Sequence, residues 1–523
     1  MSLRSPVRVG NTLQKARIAD GFSLPPAIGG LNARDALSNM DPKDALILNN
    51  WFPQPTYVEL RKGHLSFATI SNSDPVDTLM QYAGVTENKL FAAASSTIFN
   101  VTAGGSVASA DVTGLANAKW QYLNFANAGG HFIWTCNGAD TPLAYDGSVW
   151  SVLSTISAGV ASVGFSASNF IYVTSFKNRI WTVQKDSLNA WYLGVNSITG
   201  LATKFPLSSI FQLGGHLIAI GTLSQDAGNG PDDYIAFVTS NGEVAIYGGT
   251  DPASDLVIVG RFTIGRPVPL RPLIQVGGDL FVLTDDGIIS MIKALNVDKA
   301  AISKISLSNK INTLINQAVQ LYRGNFGWQV FAYPRGNWAI VNVPVSENET
   351  QTQFIMNTIT GAWSTFTGLN ANCWCLKGDD LYFGGNAGDI YLADTGYTDN
   401  GAGIFGQYKS SFNYYGNRGT NKQVTMIRPV YRANGNPTIL LGIDMDFANQ
   451  DPGSNLDIPT GGSGWDEGLW DDAMWAGETP YTSQWRTVGG IGYCGAIRLN
   501  VLSRGQSMQV NSFDLQAIPG GPL

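Results

Sequence analysis

Carboxylates are the side chains in this sequence best placed to do chemistry. Four of them, Asp466, Glu467, Asp471 and Asp472, are set among Trp465, Trp470 and Trp475 within twelve residues. Hard cations such as Ca²⁺ collect several carboxylate oxygens, so the group is a candidate ion site, although its spacing is not that of an EF-hand loop. The tryptophans can stack a sugar or form the buried side of a β-core. A fifth acid, in Asp146-Gly147-Ser148-Val149-Trp150, loosely echoes the Asp-box of sialidases and reads equally well as a hairpin turn. Two acids across a cleft suffice for glycoside hydrolysis, which keeps that one catalytic route open.

Other chemistries lack their usual parts. His64, His131 and His216 are the only histidines, and none has a metal-ligand spacing such as His-Glu-x-x-His. They read as turn or core residues. No nucleophile elbow, Walker loop or dinucleotide fingerprint is present. Cys373 and Cys375 share one face of an expected strand, and four cysteines in 523 residues read as reduced core thiols, which fits assembly in a cytoplasm. The expectation is a structural protein with no catalytic residue, no cofactor and no metal.

The elements that would position these side chains are short strands. Charged residues make up only 14% of the chain, and 60 glycines and many Asn-Gly or Gly-Asp pairs punctuate apolar-polar alternations. Seven hairpin phrases recur roughly every 40 to 60 residues, the interval of propeller blades. They are Lys89–Ala92 with Ser96–Phe99, His131–Trp134 with Pro142–Gly147, and Asn178–Val183 with Ala190–Leu193. Gly215–Ile220 with Gly242–Tyr247, Gly278–Ser290, Asn337–Val341 with Phe354–Trp363, and Asp380–Gly384 with Gly388–Leu392 complete the series. A blade is apolar on both faces and cannot cover them alone, so blades stack radially and close. An irregular pair of β-sandwiches is the competing architecture.

The fold expected is therefore all-β, with four parts. Residues 1–27 form a flexible basic arm and 28–75 an extended strap. Residues 76–399 form a β-propeller with a helical insertion near 300–322, and 400–523 a C-terminal β-sandwich or barrel. Helical periodicity is confined to 309–322, behind a Ser308 or Asn309 cap, and 36–48. Residues 1–17 of the arm carry Arg4, Arg8, Lys15 and Arg17, no acid and few large apolar groups. They are expected to order only against a neighbouring protein. No apolar run reaches the length of a membrane helix.

A net charge of −7 argues against a general nucleic-acid binder, which would carry a basic stripe. Residues 444–479 hold nine acids and no Lys or Arg, a segment that would repel rather than grip a phosphate backbone. Asp466, Glu467, Asp471 and Asp472 are thus candidate channel-lining acids as well as candidate ion ligands.

Ile28-Gly29-Gly30-Leu31-Asn32-Ala33-Arg34-Asp35, then Met40-Asp41-Pro42-Lys43-Asp44-Ala45, Leu48-Asn49-Asn50-Trp51-Phe52-Pro53 and Arg61-Lys62-Gly63 resemble the opening of tail hub or nozzle proteins of short-tailed bacteriophages. The Trp-Asp segment and the ending Ile518-Pro519-Gly520-Gly521-Pro522-Leu523 are similar to the family's C-terminus. The resemblance implies a propeller subunit in a ring of six, below the portal and adaptor, in a virion tail assembled in the bacterial cytoplasm. Double-stranded DNA would pass through that ring without specific binding. It implies no catalytic residue. A glycan- or receptor-binding propeller at the tail tip is the alternative.

Overall fold

Tight turns that demand left-handed backbone divide the chain into hairpins. Lys177 and Asn178, at φ 48° and 55°, form the two-residue turn between Phe170–Phe176 and Arg179–Gln184, as the right-handed twist of paired strands requires. The computed structural model describes residues 19–520 apart from 160–163, 227–230, 295–305, 436, 450–453 and 457–480. Among them, seven sheets follow one another around an axis.

Each sheet begins at the axis and meanders outward. The first takes Val76–Ala83, Asn88–Ala94, Thr97–Asn100 and Ala110–Val112 in that order. The innermost strands of the other six are Gln121–Asn127, Phe170–Phe176, Leu217–Asp226, Leu273–Val276, Gln329–Tyr333 and Cys373–Lys377. Each of these touches the next, and Cys373–Lys377 touches Val76–Ala83, so the ring closes on itself. This is a seven-bladed β-propeller, and the seven hairpin phrases fall one to a blade. The fourth phrase needs a correction. Gly215–Ile220 does not pair with Gly242–Tyr247, because Pro231–Thr239 lies between them in the sheet.

Apolar side chains from facing blades fill the gaps. Met80, Phe91, Trp120 and Ile133 pack between the first and second blades, and Trp181, Leu217 and Phe237 between the third and fourth. Trp338, Phe366 and Trp374 do the same between the sixth and seventh. All four cysteines are unpaired and buried in such layers or in the C-terminal unit.

The propeller is completed from outside residues 76–399. The seventh blade has three strands of its own, and its fourth, His64–Ile70, pairs antiparallel with Asp389–Ala393 in the register Ile390 to Ala68. Residues 28–75 therefore do not lie as a separate strap over a finished surface. Asp44–Asn49 also pairs with Ile404–Ser410 and meets the outer strand of the sixth blade at Thr365. Val58–Leu60 pairs with Met508–Pro519, as does Asp20–Leu24.

These strands and those after residue 400 build two sheets on a shared core that includes Trp51, Tyr408, Ile439, Leu499 and Phe513. One of the two sheets is continuous with the sixth blade. The driving force is nonlocal burial, which alternation within one segment does not reveal.

Two helix expectations change. Residues 36–48 hold only a 3-10 turn at Leu37–Asn39 before Asp44–Asn49 turns to strand, since Pro42 and the pairing of that strand with Ile404–Ser410 outweigh the helical spacing. The helix Asn312–Tyr322 forms as expected, but Ser308 does not cap it by side chain. The Ser308 hydroxyl instead accepts from the Ile288 amide and donates to Asn312. No helix among the described residues is long and apolar enough to cross a membrane.

Candidate functional site

The propeller axis is the first place to look for function, and a side chain closes one end of it. Arg271 stands between Leu270 and Pro272, directly before the inner strand of the fifth blade. Leu270 has φ 72°, a left-handed conformation that costs a residue with a side chain. From there the Arg271 guanidinium reaches the first and second blades on the far side of the ring. It donates to Thr78 Oγ1 at 2.7 Å, to Trp120 O at 3.0 Å and to Asp77 O at 3.3 Å. Gln121 Nε2 returns a bond to Leu270 O at 3.3 Å. The Phe326 ring lies 5.6 Å from the guanidinium.

Beside this plug is a cavity of about 350 Å³, lined among others by Tyr122, Tyr172, Gln329, Phe331 and Trp374. Burial pushes the Asp77 carboxyl up to about 6, against the pull of Lys119 and Arg271. Its Oδ1 is buried without a hydrogen-bond partner. Burial pushes the thiols of Cys373 and Cys375 up to about 12. Neither is a thiolate at neutral pH, so neither is an activated nucleophile. The arrangement can hold a small polar molecule, but it cannot pass a polymer.

A second concavity, of about 340 Å³, opens between the propeller and the C-terminal unit. Phe52, Glu59 and Lys62 line it from the N-terminal segment, Arg335 and Asp394 from the propeller, and Gln509 from the last strand. Burial raises both carboxyls, Glu59 and Asp394, and the neighbouring Asp394 charge raises Glu59 further. Gln54 Nε2 donates to Glu59 at 2.8 Å, and Tyr333 Oη donates to Asp394 at 3.1 Å. Lys62 Nζ is 3.6 Å from Asp394. Two acids with raised pKa values in one cleft are a pattern of acid–base sites and equally of polar binding sites.

Deeper at the same junction, Arg61 is fully buried. Its Nε donates to Asn50 Oδ1 at 2.8 Å, and its two terminal nitrogens fork onto Asp399 at 2.8 and 2.6 Å. The remaining donors reach Lys62 O at 3.0 Å and Thr367 O at 2.7 Å. His64 Nδ1 lies 3.2 Å from Asp399. One guanidinium thereby ties the N-terminal segment to the loops that leave the sixth and seventh blades.

Of the residues singled out from the sequence, Asp466, Glu467, Asp471 and Asp472 lie outside the described residues, as do Trp465, Trp470 and Trp475. Asp146 sits in a hairpin turn, where its carboxylate accepts from the amides of Ser148 and Val149 at 2.8 Å each. His64 is buried beside Asp399, while His131 and His216 are half-buried near strand starts. Among the described residues no group of three His, Cys, Asp or Glu side chains stands close enough to hold a metal ion. Sequence reasoning missed Arg271, Asp77 and the Glu59–Asp394 pair. A charged residue in the run Pro269-Leu270-Arg271-Pro272 before an apolar strand was the available signal for the first.

No protein-family model matches the sequence, and no curated protein matches it. Among solved structures the chain is similar to BBS1N in complex with ARL6DN, at 13% identity over 64% of this chain and 97% of that one, with a TM-score of 0.39. It is similar to Raptor of Chaetomium thermophilum at 10% identity over 64% and 29%, with a TM-score of 0.39. An exo-beta-1,3-galactanase of Phanerochaete chrysosporium gives 9% identity over 75% and 95%, with a TM-score of 0.26. Likenesses this distant bear on neither site nor function, and the propeller assignment stands on its own strand order and ring closure.

Proposed function

We propose that the chain is a structural component of the tail of a short-tailed bacteriophage, a hub or nozzle subunit and not an enzyme. It would stand in a virion ring, of six copies by the resemblance, next to the portal, adaptor and other tail proteins. The observation that supports this most is where the resembling residues fall. Asp44, Trp51 and Arg61 of the opening segment are buried at the joint between propeller and C-terminal unit, and Ile518 and Pro519 belong to the strand that pairs with Val58–Leu60, just before Arg61. The two ends that carry the resemblance thus make one building element.

With Arg271 across its axis, a single propeller offers DNA no passage. The conduit of this proposal runs between copies, along the axis of the ring. Asp466, Glu467, Asp471 and Asp472 would face that path and repel the phosphate backbone over about a Debye length of 8 to 10 Å. The test measures the native mass of the purified chain and images particles carrying it. A closed ring at the tail supports the proposal, and a monomer absent from particles overturns it. Replacing the four acids with Lys should slow genome ejection from otherwise normal particles.

The second reading, a glycan- or receptor-binding propeller, is favoured by the cleft between Glu59 and Asp394. It predicts a monomer retained on cell-surface sugar, with retention lost in Asp394→Ala.

A further inference from the structure

The outer edges of the blades are not treated alike. Asp44–Asn49 covers the sixth, and Gly105–Val107 lies on the strand that ends the seventh. Ser157–Ala158 lies on the third, and the helix Asn312–Tyr322 packs on the outer strand of the fifth. The outer strands of the first and second blades are three residues each. The fourth blade differs from all of these. Its outer strand, Val257–Thr263, is seven residues long, and among the described residues no strand pairs with its outer side.

That strand is also apolar where it is bare. Val257, Ile258 and Val259 are 62%, 44% and 52% exposed in succession. A register shift between the pairs Ile246–Gly260 and Tyr247–Ile258 leaves Val259 as the unpaired residue of a bulge. Natural edges are blunted by charge, proline, bulges or cover; here a bulge and Arg261 still leave three β-branched side chains in water. An edge of this kind is a template for an extended segment.

The chain contains a segment that matches it. Residues 1–18 precede the first described strand and carry Arg4, Arg8, Lys15 and Arg17 without an acid. In extended form Leu3, Val7 and Val9 fall on one face and Arg4 and Arg8 on the other. The stretch from 217 to 263 holds six acids and one base, Arg261. Asp233 and Asp251 already pair with Lys177 and Arg179 and Glu243 is buried, while Asp255 stands two residues before the bare edge. Apolar residues would meet Val257–Val259 while arginines face acids. An arm of this length spans at most about 60 Å. It starts from Asp20–Leu24 on the C-terminal unit, which adjoins the sixth blade, whereas the acceptor edge belongs to the fourth.

We infer that residues 1–18 of one copy dock along Val257–Thr263 of a second copy. Donor and acceptor are different surfaces, so the contact is head-to-tail and builds a ring when the rotation closes. The inference needs a second copy of this chain and no other element of the tail reading.

The experiment uses the full chain carrying Val9→Cys and Val259→Cys, oxidised mildly and run without reductant. The four native cysteines are buried and stay silent. A ladder of disulfide-linked multimers is expected. Adding Ile258→Lys should cut the ladder at least about tenfold, because a buried ammonium costs more than the 1.4 kcal/mol that tenfold represents. A fast-migrating monomer with an internal disulfide would mean that the arm folds onto its own blade, and this overturns the inference. No disulfide at all, or a ladder indifferent to Ile258→Lys, overturns it as well. A closed ring that persists without the ladder sinks this contact and leaves the tail proposal standing.

Discussion

Replacing Asp399 with Asn tests whether the Arg61 junction holds the two units together. Arg61 has five N–H donors, and each has a partner in the folded chain. Asp399 takes two of them and is itself only 12% exposed. The amide keeps one acceptor oxygen but removes the charge that offsets a buried guanidinium. Breaking a buried pair from one side costs about 3–5 kcal/mol, in line with two charge-assisted bonds at about 1.5–3 kcal/mol each.

Urea unfolding followed by tryptophan emission gives the loss directly, since buried Trp51 lies in the adjoining core. Arg61→Met with Asp399→Leu should recover much of it, because an apolar pair of similar volume avoids the desolvation cost. An Asn variant within 1 kcal/mol of the parent, or a double variant as unstable as both single changes added, would refute the argument.

The same carboxylate makes a pH prediction. Burial pushes the Asp399 pKa up, but the close approach of His64 and the Arg61 fork outweigh it, so the net shift is downward. A depressed carboxylate lends stability above its unfolded value of about 3.9 and loses it as pH falls through the folded value. The Asn variant should therefore show a flatter acid limb. Asp77 works in the opposite sense. Its pKa of about 6 lies above the unfolded value, so its ionisation costs stability as pH rises from about 4 to 6. Asp77→Asn should raise the urea midpoint at pH 7 and leave it nearly unchanged at pH 4. A thiol reagent at pH 8 should find none of the four cysteines in the native chain and all four in denaturant.

What the sequence made legible is what lies close along the chain. The hairpin at Lys177-Asn178 is written in four or five residues, and so are the turns at Asp146 and Gly287. Hence the blades could be read in order. The pairing of His64–Ile70 with Asp389–Ala393, and of Asp20–Leu24 with Phe513–Ala517, carries no local mark, because any alternating strand fits any apolar neighbour of matching register. The same limit hid the sites. Glu59 and Asp394 are ordinary acids in their own segments and become unusual only where three distant stretches enclose them.

The closing strand also sets a timetable. Ala68 and its partner Ile390 are 390 − 68 = 322 residues apart. At about 5–20 residues per second a ribosome needs roughly 16–64 s to make that interval. Throughout, His64–Ile70 waits with an unsatisfied edge, while the blades accumulate as an open arc that reaches six only after Thr367. Any translational stop before residue 389 leaves that arc permanently unsealed. The nascent chain is thus most exposed to chaperones, proteases and wrong pairing late in its synthesis, and a slow codon tract placed after residue 393 would come too late to help.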